Sequence, residues 1–532
     1  MGRAITGWLL LVLVVMVTQA VAVWPAVAQD TPAPFGAASD TILAWGSNFF
    51  GELGNGTTTN SSTPVAVSLP AGTAAVAIAA GDAHSVALTA AGTVLAWGDN
   101  SHGQLGDGTG ADSLTPVGVS LPAGVTASAV AAGRDHSVAL TSAGTVLAWG
   151  GNSFGQLGDG TVADRSTPVA VALPPSTTVT AVAAGATHSV ALTSAGTVLA
   201  WGGNSFGQLG DGTVVDRSTP VAVALPPSTT VTAVAAGGNH SVALTSAGTV
   251  LAWGRNFFGQ LGDGTVVDRS TPTVVSLPAG VTASAVAAGR IHSLALTTAG
   301  GVLAWGNNTF GQLGDGTTTT SSTPVSVTLP AATTITAISA RDSQHSVAMT
   351  SAGAALSWGR NLRGQLGDGT TTTRSTPVDV HLPTGVTVTA IAAGDDHSLA
   401  LTAPPTSTTT LQVTPANPTA DQDITLTATV TCNVDTPTGT ITLRTNGETL
   451  TTMPLTTRGT ATHTTTLPTG THTLTAHHTS TNTCPNSQSP PTTITINPDL
   501  PITGPTLTTT TGAATLSILA GAILIYAARR LA

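Results

Sequence analysis

HSVALTSAGTVLAWGGNSFGQLGDGT, His136–Thr161, decides the fold, because it returns along the chain at a fixed interval. The tryptophan of its LAWG stands at Trp45, Trp97, Trp149, Trp201, Trp253 and Trp305, with LSWG supplying Trp358; the spacing is 52 residues, and 53 at the last step. The histidine of HS keeps the same interval at His84, His136, His188, His240, His292, His345 and His397. A period of this length marks a repeat architecture, in which each unit buries its apolar face against the next.

One whole unit runs from His136 to Gly185. HSVALT and TVLAW alternate and are rich in β-branched residues, so they read as strands joined by the turn SAG. GDGT and STP supply further turns, and VAVAL and TAVAA make two more strands. Four short strands per unit with no helical signal predict a β-propeller. Its abundant Ala and Gly suit strands that converge near an axis. The first copy begins at TILAWG (Thr41–Gly46) and the last stops after HSLALT (His397–Thr402). Six complete units plus these complementary fragments predict seven blades over residues 40–403, the N- and C-terminal strands sharing one blade and so removing open edges.

GNSFG at Gly151–Gly155 and Gly203–Gly207 has the G-x-S-x-G form of a hydrolase nucleophile elbow. QLGDGT follows where the elbow requires a helix. Across the repeats the serine position is also Phe49, Ser101, Phe257, Thr309 and Leu362. A nucleophile does not alternate with Phe and Leu, so the motif reads as a turn. The repeated His-Ser pairs with a downstream Asp read likewise: a catalytic triad is one asymmetric constellation, whereas a residue present in every blade is structural. The histidines are expected to make a buried hydrogen bond that fixes each blade, and the Asp of GDGT to bond its own backbone, with Asn55 in its place in the first copy.

The repeat HSxALTxxGxVxxWGxNxxGQLGDGT resembles that of the regulator of chromosome condensation family, over about two-thirds of the chain. The resemblance implies a seven-bladed propeller. That family includes a guanine-nucleotide exchange factor that acts through an inserted β-wedge, and light sensors built on extra tryptophans. Units of constant length leave no room for a wedge, and the chain has no tryptophan in the propeller beyond the repeated seven. A propeller of related architecture inhibits secreted β-lactamases. The fold carries over without these activities.

The rest of the chain reads as export, stalk and anchor. Arg3, an apolar run from Trp8 to Val23 and AVA at Ala26–Ala28 predict a signal peptide over residues 1–28. Pro, Ser and Thr at 404–410 predict a linker. Alternating Thr, Leu and Ile over 411–498, broken by turn residues, predict a small antiparallel β-sandwich. TPTGTITL and LPTGTHTLTA there resemble bacterial immunoglobulin-like repeats of surface proteins, which act as stalks. Cys432 and Cys484 are the only cysteines. In an exported chain they are expected to form one disulfide in that sandwich, worth about 4 kcal/mol by chain entropy. Free thiols and intermolecular pairing remain the alternatives. Over 500–532, Leu500, Pro501, Ile502, Thr503 and Gly504 spell LPITG, followed by an apolar segment at 513–528 and by Arg529 and Arg530. This order resembles a sortase sorting signal. It implies cleavage between Thr503 and Gly504, linkage to peptidoglycan, and a hydrophobic helix that holds the membrane transiently. Localisation is then the cell wall and surface of a Gram-positive-type bacterium.

The exported part, Gln29–Thr503, carries 12 arginines, no lysine and 25 acidic residues, a net charge of −13. Such a chain neutralises phosphates poorly, so no nucleic-acid partner is expected. Without lysine there is no Schiff-base nucleophile, no P-loop and no lysine cross-link of pilin type. No cofactor and no metal site is expected. His463, His472, His477 and His478 form a loose group, but neighbours on a strand face opposite ways. Charge variation concentrates in the later repeats, at Arg255, Arg290, Arg360 and Arg363, with Arg341, Asp342, Asp395 and Asp396. Arg255, Arg290, Arg360 and Arg363 are the candidate partner-binding patch. The expected function is a non-enzymatic, monomeric surface module that binds an unidentified protein. The competing classes are an inhibitor of secreted enzymes and a propeller-type hydrolase or lyase.

Overall fold

The computed structural model describes residues 41–498 apart from 342 and 483. The expected signal peptide, the LPITG motif, the C-terminal helix and Asp342 lie outside the described residues. Those described are all-β, and among them no helix is long and apolar enough to cross a membrane.

Seven four-stranded antiparallel sheets stand among the described residues of the repeat region. In the sheet of Trp201 an inner strand (Val179–Ala184) is followed by the histidine strand (His188–Thr193), the tryptophan strand (Val198–Gly202) and an outer strand (Arg217–Ala222). They hydrogen-bond in that order. His188 pairs with Gly202 and Ser189 with Trp201. The inner strands of successive sheets contact one another, which requires small side chains: Ala183 and Ala184 are buried. The sheet of Trp45 joins the two ends of the repeat region, since Ile42–Gly46 pairs in unbroken register with His397–Thr402.

The outer strand corrects the sequence reading. It runs over RSTPVA rather than the later VAVAL, so STP is strand and not turn. The tryptophan strand has only five residues, and pairing ends when Val223 N–H reaches Val198 O. The next residues turn away from the sheet, Ala224 N–H bonding Gly210 O in the loop instead. Pro220 lacks an N–H, which an outermost strand does not need.

Each sheet is locked to its neighbour by one recurring cluster. The Ser189 hydroxyl donates to the carbonyl of Gln156, in the loop after the Trp149 strand, and Trp201 Nε1–H donates to the same oxygen, both at 2.9 Å. His136 of the Trp149 sheet lies 2.9 Å from Ser189 Oγ through Nε2. The serine has one proton and gives it to a carbonyl, so the histidine must be the donor and is neutral with its proton on Nε2. The same contact recurs from His84 to Ser137, His188 to Ser241, His240 to Ser293, His292 to Ser346 and His345 to Ser398. It returns from His397 to Ser85 of the Trp97 sheet. The histidines are buried as expected, but their bonds run between sheets, not within one.

The C-terminal unit packs a three-stranded sheet (Ser407–Thr414, Ile424–Cys432, Thr460–Thr465) against a second sheet built on Gly439–Thr445 and Gly470–Ser480. Ile424, Leu426, Ile441, Leu443 and Leu474 form its core. Its first strand begins at Ser407, inside the expected linker, because β-branched Thr408–Thr410 pair with Thr429–Thr431 and Thr409 is fully buried. Cys432, at the end of a strand of the first sheet, is disulfide-bonded to Cys484, which follows the long strand of the second. Among the described residues no group of His, Cys, Asp or Glu is placed to hold a metal. His472 and His478 bond the carbonyls of Pro468 and Thr438 instead.

Burial in the interfaces holds the seven histidines far below their ordinary value. His84 and His240 fall to about 4, and His136, His188, His292, His345 and His397 to about 3. An unfolded chain protonates them near pH 6.5. Stability is therefore whole above about pH 7 and is lost as pH falls from there towards 3–4, by up to about 1.4 kcal/mol per histidine per pH unit. We expect the melting temperature to fall by on the order of 10 °C or more between pH 7.5 and 5, followed by circular dichroism. An unchanged melting temperature over that interval would refute neutral, sealed histidines.

Candidate partner-binding face

The loop after each tryptophan strand is nailed down by one asparagine. Asn152 is fully buried. Its Nδ2 donates to the carbonyls of Thr161 and Ala163, and its Oδ1 accepts from Leu157 N–H. Asp159 Oδ1 accepts from Thr161 N–H, and Asn55 does the same for Thr57 in the first copy. Gly155 has φ +79°, and a Cβ there would meet Ser218 Cα of the next sheet at 2.5 Å, so only glycine fits. Anchored on both sides, Ser153 and Phe154 are pushed into solvent. GNSFG is thus a loop tip, and a strand of the next sheet lies beneath it.

Seven such tips crown the same end of the sheets. They carry Phe49–Phe50, Ser101–His102, Ser153–Phe154, Ser205–Phe206, Phe257–Phe258, Thr309–Phe310 and Leu362–Arg363. Every phenylalanine among the described residues is on one of them. Sequence reading met Phe49 and Phe257 there only as substitutes for the serine of GNSFG. The signal was present in the composition, because the described residues place no phenylalanine anywhere else.

The predicted arginines separate into two groups. Arg255 stacks over Phe206 at 4.8 Å, Arg360 over Phe310 at 5.8 Å and Arg363 over Phe49 at 4.7 Å, in each case on the tip of an adjacent sheet. Such cation–π contacts orient the guanidinium across a ring face. Arg360 also binds Asp396, Nη1 to Oδ1, at 2.6 Å. Burial pushes the Asp396 carboxyl up, and the charges of Arg360 and Arg363 oppose that.

Arg290 belongs instead to the loop between the inner strand and the histidine strand, where it pairs with Asp395 at 3.3 Å. Arg341, in the repeat lengthened by one residue, reaches across to the opposite inner strand and donates to Ala132 O at 3.0 Å. Two further departures from the repeat escaped the sequence reading. His102 occupies a phenylalanine position and bonds Asp164 of the next sheet at 2.9 Å, which raises its pKa. Glu52 replaces the repeated glutamine; it is buried and its pKa is raised by desolvation, with its carboxylate accepting from Ser47 Oγ and Phe50 N–H. SHGQLGDGT and FFGELGNGT against SFGQLGDGT made both exchanges legible.

Repeated four-stranded sheets joined through His, Ser and Trp, with aromatic loop tips at one end, define a propeller-like scaffold. The RCC1-like domain profile matches residues 35–343 and 175–409, and the chain belongs to that family. A bacterial Ig-like domain (group 3) matches residues 409–497. The ultraviolet-B receptor UVR8 of Arabidopsis thaliana is 36% identical over 275 residues, 52% of this chain and 62% of that protein. The human E3 ubiquitin-protein ligase HERC2 is 32% identical over 366 residues, 68% of this chain and 8% of that protein. The chain thus spans less than two-thirds of these relatives' own length. The crystal structure of Prp20p from Saccharomyces cerevisiae superposes with a TM-score of 0.61 at 26% identity, covering 69% of this chain and 92% of that one.

The arginine contacts differ in depth, and stability should follow. Arg255→Ala and Arg363→Ala each forfeit an outer cation–π contact of about 0.5–1 kcal/mol. Arg360→Ala also leaves the half-buried Asp396 without its charged partner and should cost about 1–3 kcal/mol. Thermal unfolding of the three variants at neutral pH checks that order; equal losses would contradict it.

Proposed function

We propose that this chain is an exported bacterial surface protein whose seven sheets form one closed, seven-bladed propeller that binds a protein partner through its loop tips. The immunoglobulin-like unit serves as a stalk, and the LPITG segment as the site of covalent attachment to the wall. The observation that carries the binding reading is the collection of every described phenylalanine, with three stacked arginines, on one set of rigid tips. Aromatic and arginine side chains are the residues that dominate protein interfaces. The family supports the same reading, since Prp20p has binding properties to Gsp1p and histones. The similarity to HERC2 brings no ligase activity, because it spans so little of that protein. The return of the His397–Ser85 contact to the Trp97 sheet supports closure.

Two measurements test this. Partners captured by cross-linking on intact cells should be lost or weakened at least tenfold in the triple variant Arg255→Glu, Arg360→Glu, Arg363→Glu; unchanged affinity would remove the loop tips as the binding site. Thr503→Ala should abolish covalent recovery with purified peptidoglycan, and continued attachment would exclude sortase anchoring.

A further inference from the structure

Three consecutive loops differ from the rest at one place. After GDGT, the Trp149, Trp201 and Trp253 sheets continue with Val162–Ala163, Val214–Val215 and Val266–Val267. The corresponding residues elsewhere are Thr58–Thr59, Gly110–Ala111, Thr318–Thr319 and Thr371–Thr372. The five valines are 57–64% exposed. Phe257, at 66%, and Phe154, at 42%, lie on tips of the same loops. Single exposed apolar residues need no explanation, but a contiguous run marks an interaction site.

The three loops stand on consecutive sheets and are rigid. Gly160 N–H donates to Ser218 O, and Gly212 N–H to Ser270 O, each at 2.9 Å, so every valine loop abuts the start of the next outer strand. Arg255 bridges from its own tip to Phe206. The carbonyls of Ala163, Val215 and Val267 are held by the buried Asn152, Asn204 and Asn256, which prevents the valines from folding inward. A preorganised, β-branched surface loses little entropy on binding.

Its border is acidic. Asp164, Asp216 and Asp268 follow the valines and are exposed. Arg165, Arg217 and Arg269 are already paired with Asp159, Asp211 and Asp263. Asp216 and Asp268 have no ion-pair partner among the described residues. A second copy of the chain would bring like charges together.

We infer that this sector is the docking site for a partner protein presenting an apolar patch bordered by lysine or arginine. The inference rests on the reading that the loop face binds protein, and names the sector and the chemistry of the partner. The exported chain is tested with two synthetic amphipathic helical peptides sharing one leucine face, one carrying lysine and the other glutamate on its polar face.

The lysine peptide should bind, more weakly as salt rises, and at least tenfold more weakly to the variant Val162→Thr, Val214→Thr, Val215→Thr, Val266→Thr, Val267→Thr. That variant installs the residue present in three of the other loops and leaves the anchoring asparagines intact. Asp216→Asn with Asp268→Asn should reduce the salt dependence. Equal binding of both peptides, or unaltered binding by the valine variant, overturns the inference. So does a dimer in sedimentation that the valine variant abolishes. Cross-linked partners lost by the arginine triple variant but kept by the valine variant overturn the sector while leaving the loop-face reading in place. Partners kept by both variants overturn the loop-face reading itself.

Discussion

One serine proton organises the repeat region. Ser189 can give its hydroxyl hydrogen to a single acceptor, and Gln156 O takes it. His136 must then approach as a donor through Nε2, and its other nitrogen is left buried with no hydrogen-bond partner among the described residues. The same carbonyl receives Trp201 Nε1–H. Two side chains of one sheet therefore converge on a backbone oxygen of its neighbour, whose histidine holds the serine in turn, and no sheet can satisfy its own tryptophan or serine. A buried donor without a partner costs about 1–3 kcal/mol, so a sheet packed out of register with its neighbour would carry two such penalties. Cooperativity across the sheets follows from that mutual dependence, and so does the demand that the histidines remain neutral.

The lock also explains where the sequence is free to vary. Asn152, Gly155, Gln156 and their counterparts set the path of the loop, through buried bonds and a glycine that no other residue replaces. Ser153 and Phe154, held between them, support nothing beneath and are exchanged from copy to copy. The extra residue before His345 shows the same division, since that repeat is one residue longer and His345 still reaches Ser398 at 2.8 Å. The loop-tip variation lies where a partner can meet it.

The sequence made the repeat period, the strand count per unit and the structural character of His and Trp legible, because each is written seven times over. Repetition also hid the lock. When every unit carries the same His and Ser, spacing cannot tell a bond inside one unit from a bond to the next. The outer strand was misplaced for a local reason: Ser-Thr-Pro reads as a turn unless one knows that the strand is outermost. Arg255, Arg360 and Arg363 were visible as departures from the repeat, but the rings they stack on belong to neighbouring copies. Arg290 was grouped with them although it precedes a histidine strand, and the structure pairs it with Asp395 rather than with a ring.

Duplication gives the valine sector its size. The Trp149 and Trp201 units differ only at Ala163 and Val215 between Thr141–Gly185 and Thr193–Gly237. Copying a unit adds no new chemistry to a scaffold whose lock is already satisfied. It does place a second, nearly identical loop on the adjacent sheet, whose outer strand the first loop already bonds through Gly160 N–H and Ser218 O. A single pair of exposed valines is too small to hold a partner, since a stable interface needs roughly 800 Å² on each side. Adjacent copies extend the same apolar edge across three sheets without a helix, an insertion or a change in the core. A repeat fold can thus enlarge a binding surface by duplication alone, provided that the copied residue points outward. Asn152 and its counterparts impose that condition by holding the carbonyl beside each valine.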